Sequence, residues 1–156
     1  MRRFAPIFLL FLSVAANASA ASKHFVLRVH AQGNANDSSV FATPMVAPVS
    51  GRNIFIEKTA SISEHDVVAA RAYPAADGTF GAIFQLDDHG RMSLETLSIE
   101  NRGQTLLVFV NGRVLTELQI DRRVADGQLY LATGLSSAEI AAMRREWPDL
   151  GAKKKR

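Results

Sequence analysis

The amino-acid sequence predicts an α+β fold, a mainly antiparallel sheet packed by two to three helices. Three observations carry that expectation. Residues 80–86 read as an apolar, alternating strand. Leu106-Leu107-Val108-Phe109-Val110 and the segment after it flank Asn111-Gly112, the pair that best accepts the positive φ of a type I′ turn, so the two runs form a hairpin. Ser136-Ser137-Ala138-Glu139 then opens a stretch in which Ile140, Met143 and Trp147 recur at helical spacing.

The remaining elements follow in chain order. Residues 24–31 form a strand with Phe25, Leu27 and Val29 on one face. A turn-rich loop over 33–39 leads to a segment that Pro44 and Pro48 keep irregular or edge-like. Residues 53–58 are the second strand. Ser61 or Ser63 caps a helix with Glu64 and Asp66 in its first turn, continued by Val67, Val68 and Arg71 until Tyr73-Pro74 stops it. Asp77-Gly78 turns the chain into strand 80–86. A helix over 90–101 uses Met92, Leu94, Leu97 and Ile99 as its apolar positions. After the hairpin over 105–120, a last strand over 128–133 precedes the final helix, which Pro148 ends.

The first twenty residues read as an address. Arg2-Arg3 precede an apolar run from Phe4 to Ala16, and Ala18-Ser19-Ala20 gives the small-x-small pattern of a cleavage site between Ala20 and Ala21. That run is shorter than the roughly 20 residues needed to span a bilayer. The arginine pair lacks a Tat pattern, and no cysteine follows for a lipid anchor, so a Sec-type signal to the periplasm or the exterior is expected. The division is 1–20 signal peptide, 21–150 one domain, 151–156 basic tail; an uncleaved anchor is the alternative at the N-terminus.

The chain has 18 Lys and Arg against 15 Asp and Glu. Arg2 and Arg3 leave with the signal, which brings the basic count to 16. Lys153, Lys154, Lys155 and Arg156 take four of those, so the body between the ends holds 12 basic against 15 acidic groups. A nucleic-acid partner, which requires a basic stripe across the domain, is therefore excluded. The basic tail reads as solvated, with weak attraction to an anionic membrane as its functional alternative. The absence of cysteine excludes disulfide-stapled toxins, thiol redox chemistry and zinc–thiolate sites.

Candidate chemistry is sparse. Asp87-Asp88-His89 are residue types suited to a metal or a general base. Neighbouring side chains point apart there, and an Asp at a strand end before a helix is the pattern of a cap. His24 and His30 share a strand face but stand ~20 Å apart. His65 falls in an exposed first turn, Asp121-Arg122-Arg123 reads as an ion-pair surface, and Phe109 and Trp147 read as packing aromatics. Serine-nucleophile and phosphate-loop motifs are missing. No catalytic, cofactor or metal site is expected.

Ile54-Phe55-Ile56, residues 61–67, Phe84 to Gly90, Val110-Asn111-Gly112-Arg113-Val114, and Leu131 to Ile140 form an ordered set of segments from Ile54 to about Arg144. Together they resemble the periplasmic head subdomain of SecD, a subunit of the bacterial protein-export machinery. Three departures stand out: Thr116-Glu117 where the family has Ala-Pro, Ile140 where it has Ala, and no counterparts of the membrane helices and proton-pathway carboxylates. The resemblance implies a head-like domain without ion-coupled translocation, its partner a polypeptide; an exposed sheet edge that pairs with an extended chain and the hairpin Asn111, Gly112 and Arg113 are the candidate contact points. A small enzyme or ligand binder using Asp87, Asp88 and His89, and an envelope-associated structural protein, are the alternatives. Mass spectrometry of the exported protein is expected to find Ala21 as the first residue; retention of Met1 would establish an anchor instead.

Overall fold

The structure, a computed structural model, describes residues 24–37 and 39–152. Ala20, Ala21 and the rest of the expected signal segment lie outside the described residues, as do Lys153 to Arg156 of the tail. Among the described residues nine strands, a 3₁₀ turn and two helices follow one another as β1 (Leu27–Gly33), β2 (Ala42–Val46), β3 (Asn53–Glu57), β4 (Ile62–Ser63), the 3₁₀ turn (Glu64–Asp66), β5 (Val67–Pro74), β6 (Phe80–Leu86), α1 (Asp88–Glu100), β7 (Thr105–Val110), β8 (Arg113–Gln119), β9 (Gln128–Leu135) and α2 (Ser137–Glu146). Every named strand pairing is antiparallel, and the fold is α+β.

One sheet has the order β2-β3-β1-β7-β8, with β4 also paired to β1; the other is β5-β6-β9. Alternation along β1 and β7 sends Leu27, Val29 and Ala31, with Leu106, Val108 and Val110, into one core. Phe84 and Leu86 of β6, Leu129 and Leu131 of β9, Leu94 of α1, and Ile140 and Met143 of α2 fill the same core. The opposite face of β7 is covered as well. The edge of β1 passes from β4 (Val29 opposite Ile62) to β3 (Gln32 opposite Ile56), and the β2–β3 ribbon packs Ala47 and Ile54 on Leu107. Glu117 of β8 fastens the ribbon tip: its Oε1 accepts the Val49 N–H at 2.6 Å and the Ser50 N–H at 3.0 Å. Burial pushes the Glu117 carboxyl up, but these amide donors and the charge of Arg52 outweigh it and leave the group lowered.

Pro44 has a defined role in this ribbon. Phe41 O accepts from Lys58 N–H and Ala47 N–H donates to Arg52 O, so alternate residues of β2 face β3 and the backbone of Ala42, Pro44 and Val46 faces outward. The outer edge therefore lacks a donor at its centre.

One expected helix is a strand. Ser63 caps only a single 3₁₀ turn, closed by a reciprocal capping box with Asp66, and residues 67–74 pair with β6. A bulge between Val67 and Ala69 sets the buried residues Val67 and Ala70 three apart, the spacing of a helix face. α1 also differs from expectation: Leu94 is buried and Leu97 half-buried, whereas Met92 and Ile99 are exposed. The Asn111-Gly112 turn has φ of 50° and 82°, both positive as type I′ requires.

The second sheet depends on a glycine. β9 bulges between the pairs Phe80–Leu135 and Ala82–Leu131, and the Tyr73 ring crosses Gly81 so that its hydroxyl donates to Leu131 O at 2.7 Å. A Cβ on Gly81 would meet Ala132 O at 2.5 Å and the Tyr73 ring closer still. Substitution G81A is expected to cost about 3 kcal/mol in chemical denaturation, as overpacking against backbone does. A smaller penalty in the Y73A background would identify the ring as part of the clash.

Candidate functional site

The predicted trio Asp87, Asp88 and His89 divides in the structure. Asp88 points into solvent with its side chain 99% exposed. Asp87 and His89 instead converge with Asp66, a residue placed by the capping box that follows β4. Asp87 is the N-cap of α1, its Oδ1 accepting the Gly90 N–H at 2.8 Å. Its own N–H donates to Asp66 O at 2.7 Å, and His89 Nδ1 donates to Asp66 Oδ1 at 2.7 Å. Gly90 permits the approach, because a Cβ there would lie 2.8 Å from the Asp66 Cβ. Asp66 carries its position in the sequence as a capping acid; nothing in the spacing from Asp66 to Asp87 signals that the two meet.

These three residues offer ligand atoms within 4.8 Å of one another, so they are the group able to hold a cation among the described residues. The carboxylate of Asp66 is already engaged on both oxygens, Oδ1 by His89 and Oδ2 by the Ser63 N–H at 2.7 Å and hydroxyl at 3.0 Å. What the arrangement does chemically is tie the 3₁₀ turn to the first turn of α1. Burial pushes the Asp66 carboxyl up, yet the Ser63 and His89 hydrogen bonds prevail and lower it. The hydrogen bond to Asp66, followed by its charge, holds the His89 imidazole above its ordinary value. His24 contacts Glu146 at 2.9 Å and His30 the Glu57 carbonyl at 2.8 Å, so neither joins the cluster.

The hairpin turn is tied inward. Asn111 N–H donates to Val26 O and Asn111 Oδ1 accepts the Val26 N–H, both at 3.0 Å. Arg113 grips both oxygens of Glu139, at 3.0 Å and 2.9 Å, and donates to Gly134 O at 2.9 Å. Glu139 is also the reciprocal partner of Ser136 in the capping box of α2. The turn thus joins the start of the chain to the last strand and helix. Gly112 at its tip adds only conformational freedom.

Exposed apolar side chains gather elsewhere. Phe41, Val46 and Val49 are 61–71% exposed, and with Val40 they lie on the β2–β3 ribbon and its approach. The sequence carried a signal for this ribbon in Met45-Val46-Ala47 between two prolines, a short apolar run at an edge.

No family model and no curated protein sequence matches the chain. Solved structures that share its fold include two described as SecDF. One is described as the crystal structure of SecDF in a super-membrane-facing form, with a TM-score of 0.55 and 19% identity over 82% of this chain and 19% of that one. The other is described as the structure and function of a membrane component SecDF that enhances protein export, with a TM-score of 0.54 and 19% identity over 85% of this chain and 69% of that one. The chain thus spans about a fifth of the first. The likeness shows a SecD-head-like fold.

The tie between Asp66 and His89 has a pH window. The contribution of Asp66, whose carboxyl is lowered, is present above its unfolded value and lost as pH falls through the folded one; that of His89, whose imidazole is raised, is full below its unfolded value and lost as pH rises through the folded one. A double-mutant cycle of D66N and H89A is expected to give its largest coupling near about pH 5 and a smaller one on either side, at about pH 3 and about pH 9. Equal coupling at all three would show that charge plays no part.

Proposed function

We propose that this is a non-catalytic domain that binds polypeptides outside the cytoplasm. The observation that carries the reading is the exposed apolar ribbon built on a SecD-head-like fold. Soluble monomers rarely leave large apolar side chains clustered unless something covers them. Here Phe41, Val46 and Val49 belong to a ribbon fixed in place by Glu117 and by the packing of Ile54 on Leu107. The structural likeness to a membrane component described as enhancing protein export supports a polypeptide as the covering partner.

The expected signal over 1–20 supports action in the periplasm or outside the cell. Among the described residues no helix is long and apolar enough to cross a membrane. The chemistry of Asp66, Asp87 and His89 is that of caps and a tie, which supports binding rather than turnover. Asn111 and Arg113, engaged with Val26 and Glu139, support the ribbon over the hairpin turn as the contact surface.

A photo-crosslinking residue at position 46 or 49 of the exported protein tests this. Adducts with other exported polypeptides are expected, and V46E with V49E is expected to weaken capture of an unfolded reporter protein about tenfold, the worth of one or two apolar side chains. Adducts with lipid alone, or capture unchanged by both substitutions, would overturn the reading.

A further inference from the structure

We infer that the outer edge of β5 is a docking edge for an extended, acidic polypeptide segment, and that the chain's own residues 148–150 occupy it as an internal stand-in. The inference rests on the polypeptide-binding reading and adds a second surface with its own recognition chemistry. Along β5, Ala75 N–H donates to Thr79 O at 2.9 Å, so the backbone of Tyr73 and Arg71 turns toward β6 and that of Ala70, Ala72 and Pro74 faces out. At Ala70 this outer edge is engaged. Its N–H donates to Pro148 O at 3.0 Å, and its carbonyl accepts the Leu150 N–H at 3.2 Å, a parallel bridge centred on Asp149.

A side-chain contact reads the same segment. Arg71 Nε donates to Asp149 Oδ1 at 3.1 Å, and Arg71 Nη2 reaches Leu150 O. The edge thus recognises an extended backbone and one carboxylate together. Gly151, at φ 87°, then turns the chain away, and Ala152 N–H closes that turn on Asp149 O at 2.9 Å. The stand-in leaves before it reaches Ala72.

Beside this point a cleft of about 250 Å³ lies between β5 and α2, lined by Ala70, Arg71, Ala72, Met143, Arg144 and Trp147 among others. Two of those are arginines and four are apolar, and Pro148 and Asp149 of the stand-in complete the lining, a setting that suits a carboxylate with apolar neighbours. The occupant in place is held by one bridge and by an ion pair whose partners are 52% and 68% exposed, an arrangement that a longer strand can displace. A segment running parallel to β5 repeats the two bonds at Ala70, adds bonds at Ala72 and sets an acidic side chain on Arg71. The outer edge of β2 is less suited to the same task, because Pro44 removes the donor at its centre, whereas Pro74 stands at the far end of β5, beyond Ala70 and Ala72.

The test uses the full chain and a labelled peptide with the sequence of residues 146–152. L150P removes the N–H that holds the stand-in on Ala70. It is expected to bind the peptide at least tenfold more tightly than the unsubstituted chain. Adding R71E, or replacing the peptide's Asp with Lys, is expected to abolish the gain. Hydrogen exchange at the Ala70 amide, with circular dichroism as the check on folding, gives a second readout: protection falls in L150P and returns with peptide. Peptide binding that is the same with and without L150P, or that ignores R71E, would overturn the inference. So would dimerisation of L150P in light scattering without peptide uptake, since the edge would then join copies of the chain. Crosslinking at positions 46 and 49 that survives R71E would keep the broader polypeptide-binding reading standing even so.

Discussion

The fold depends on three aromatic rings that meet in its core. Phe25, from the segment before β1, lies 5.8 Å from Phe84 of β6 and 5.6 Å from Trp147 at the end of α2, and Phe84 and Trp147 meet edge to face at 5.8 Å. Edge-to-face pairs of this kind add roughly 1 kcal/mol each to the burial of large apolar area. Their position matters more than their sum. The cluster joins the start of the described chain, the central strand of the smaller sheet and the close of the last helix. Directly after Trp147 the chain runs along the edge of β5, where Asp149 stands beside Arg71.

Around that cluster, polar side chains act as fasteners between elements remote in sequence. Asp66 joins the 3₁₀ turn to α1, Arg113 joins the hairpin to the capping box of α2, and Glu117 joins β8 to the ribbon tip. Each acid is partly buried or half-exposed and already committed to backbone or arginine donors. Such groups hold geometry, and a reaction would need them released.

The features legible in the sequence are those decided within a few residues. The Asn111-Gly112 turn, the Asp87 cap and the Ser136 cap all follow from local backbone chemistry. β5 is the counterexample: its bulge gives Val67 and Ala70 the spacing of a helix face, and only pairing with β6 settles the matter. The site shows the same divide. Asp87 and His89 stand together in the sequence, but Asp66 reaches them through tertiary packing across Gly90. The uniformly apolar run 106–110 announces a strand covered on both faces, while the identity of its outer cover, the β2–β3 ribbon, depends on where the edge of β1 changes partner. Glu117, which departs from the pattern of the resembled family, fastens that cover.

Pro44 gives the ribbon a further property. An exposed edge strand flanked by valines and a phenylalanine is ordinarily a template on which chains stack into fibres. A missing donor at the middle of the edge breaks the continuous ladder that such growth needs. The surface can therefore stay sticky through its side chains while refusing propagation through its backbone.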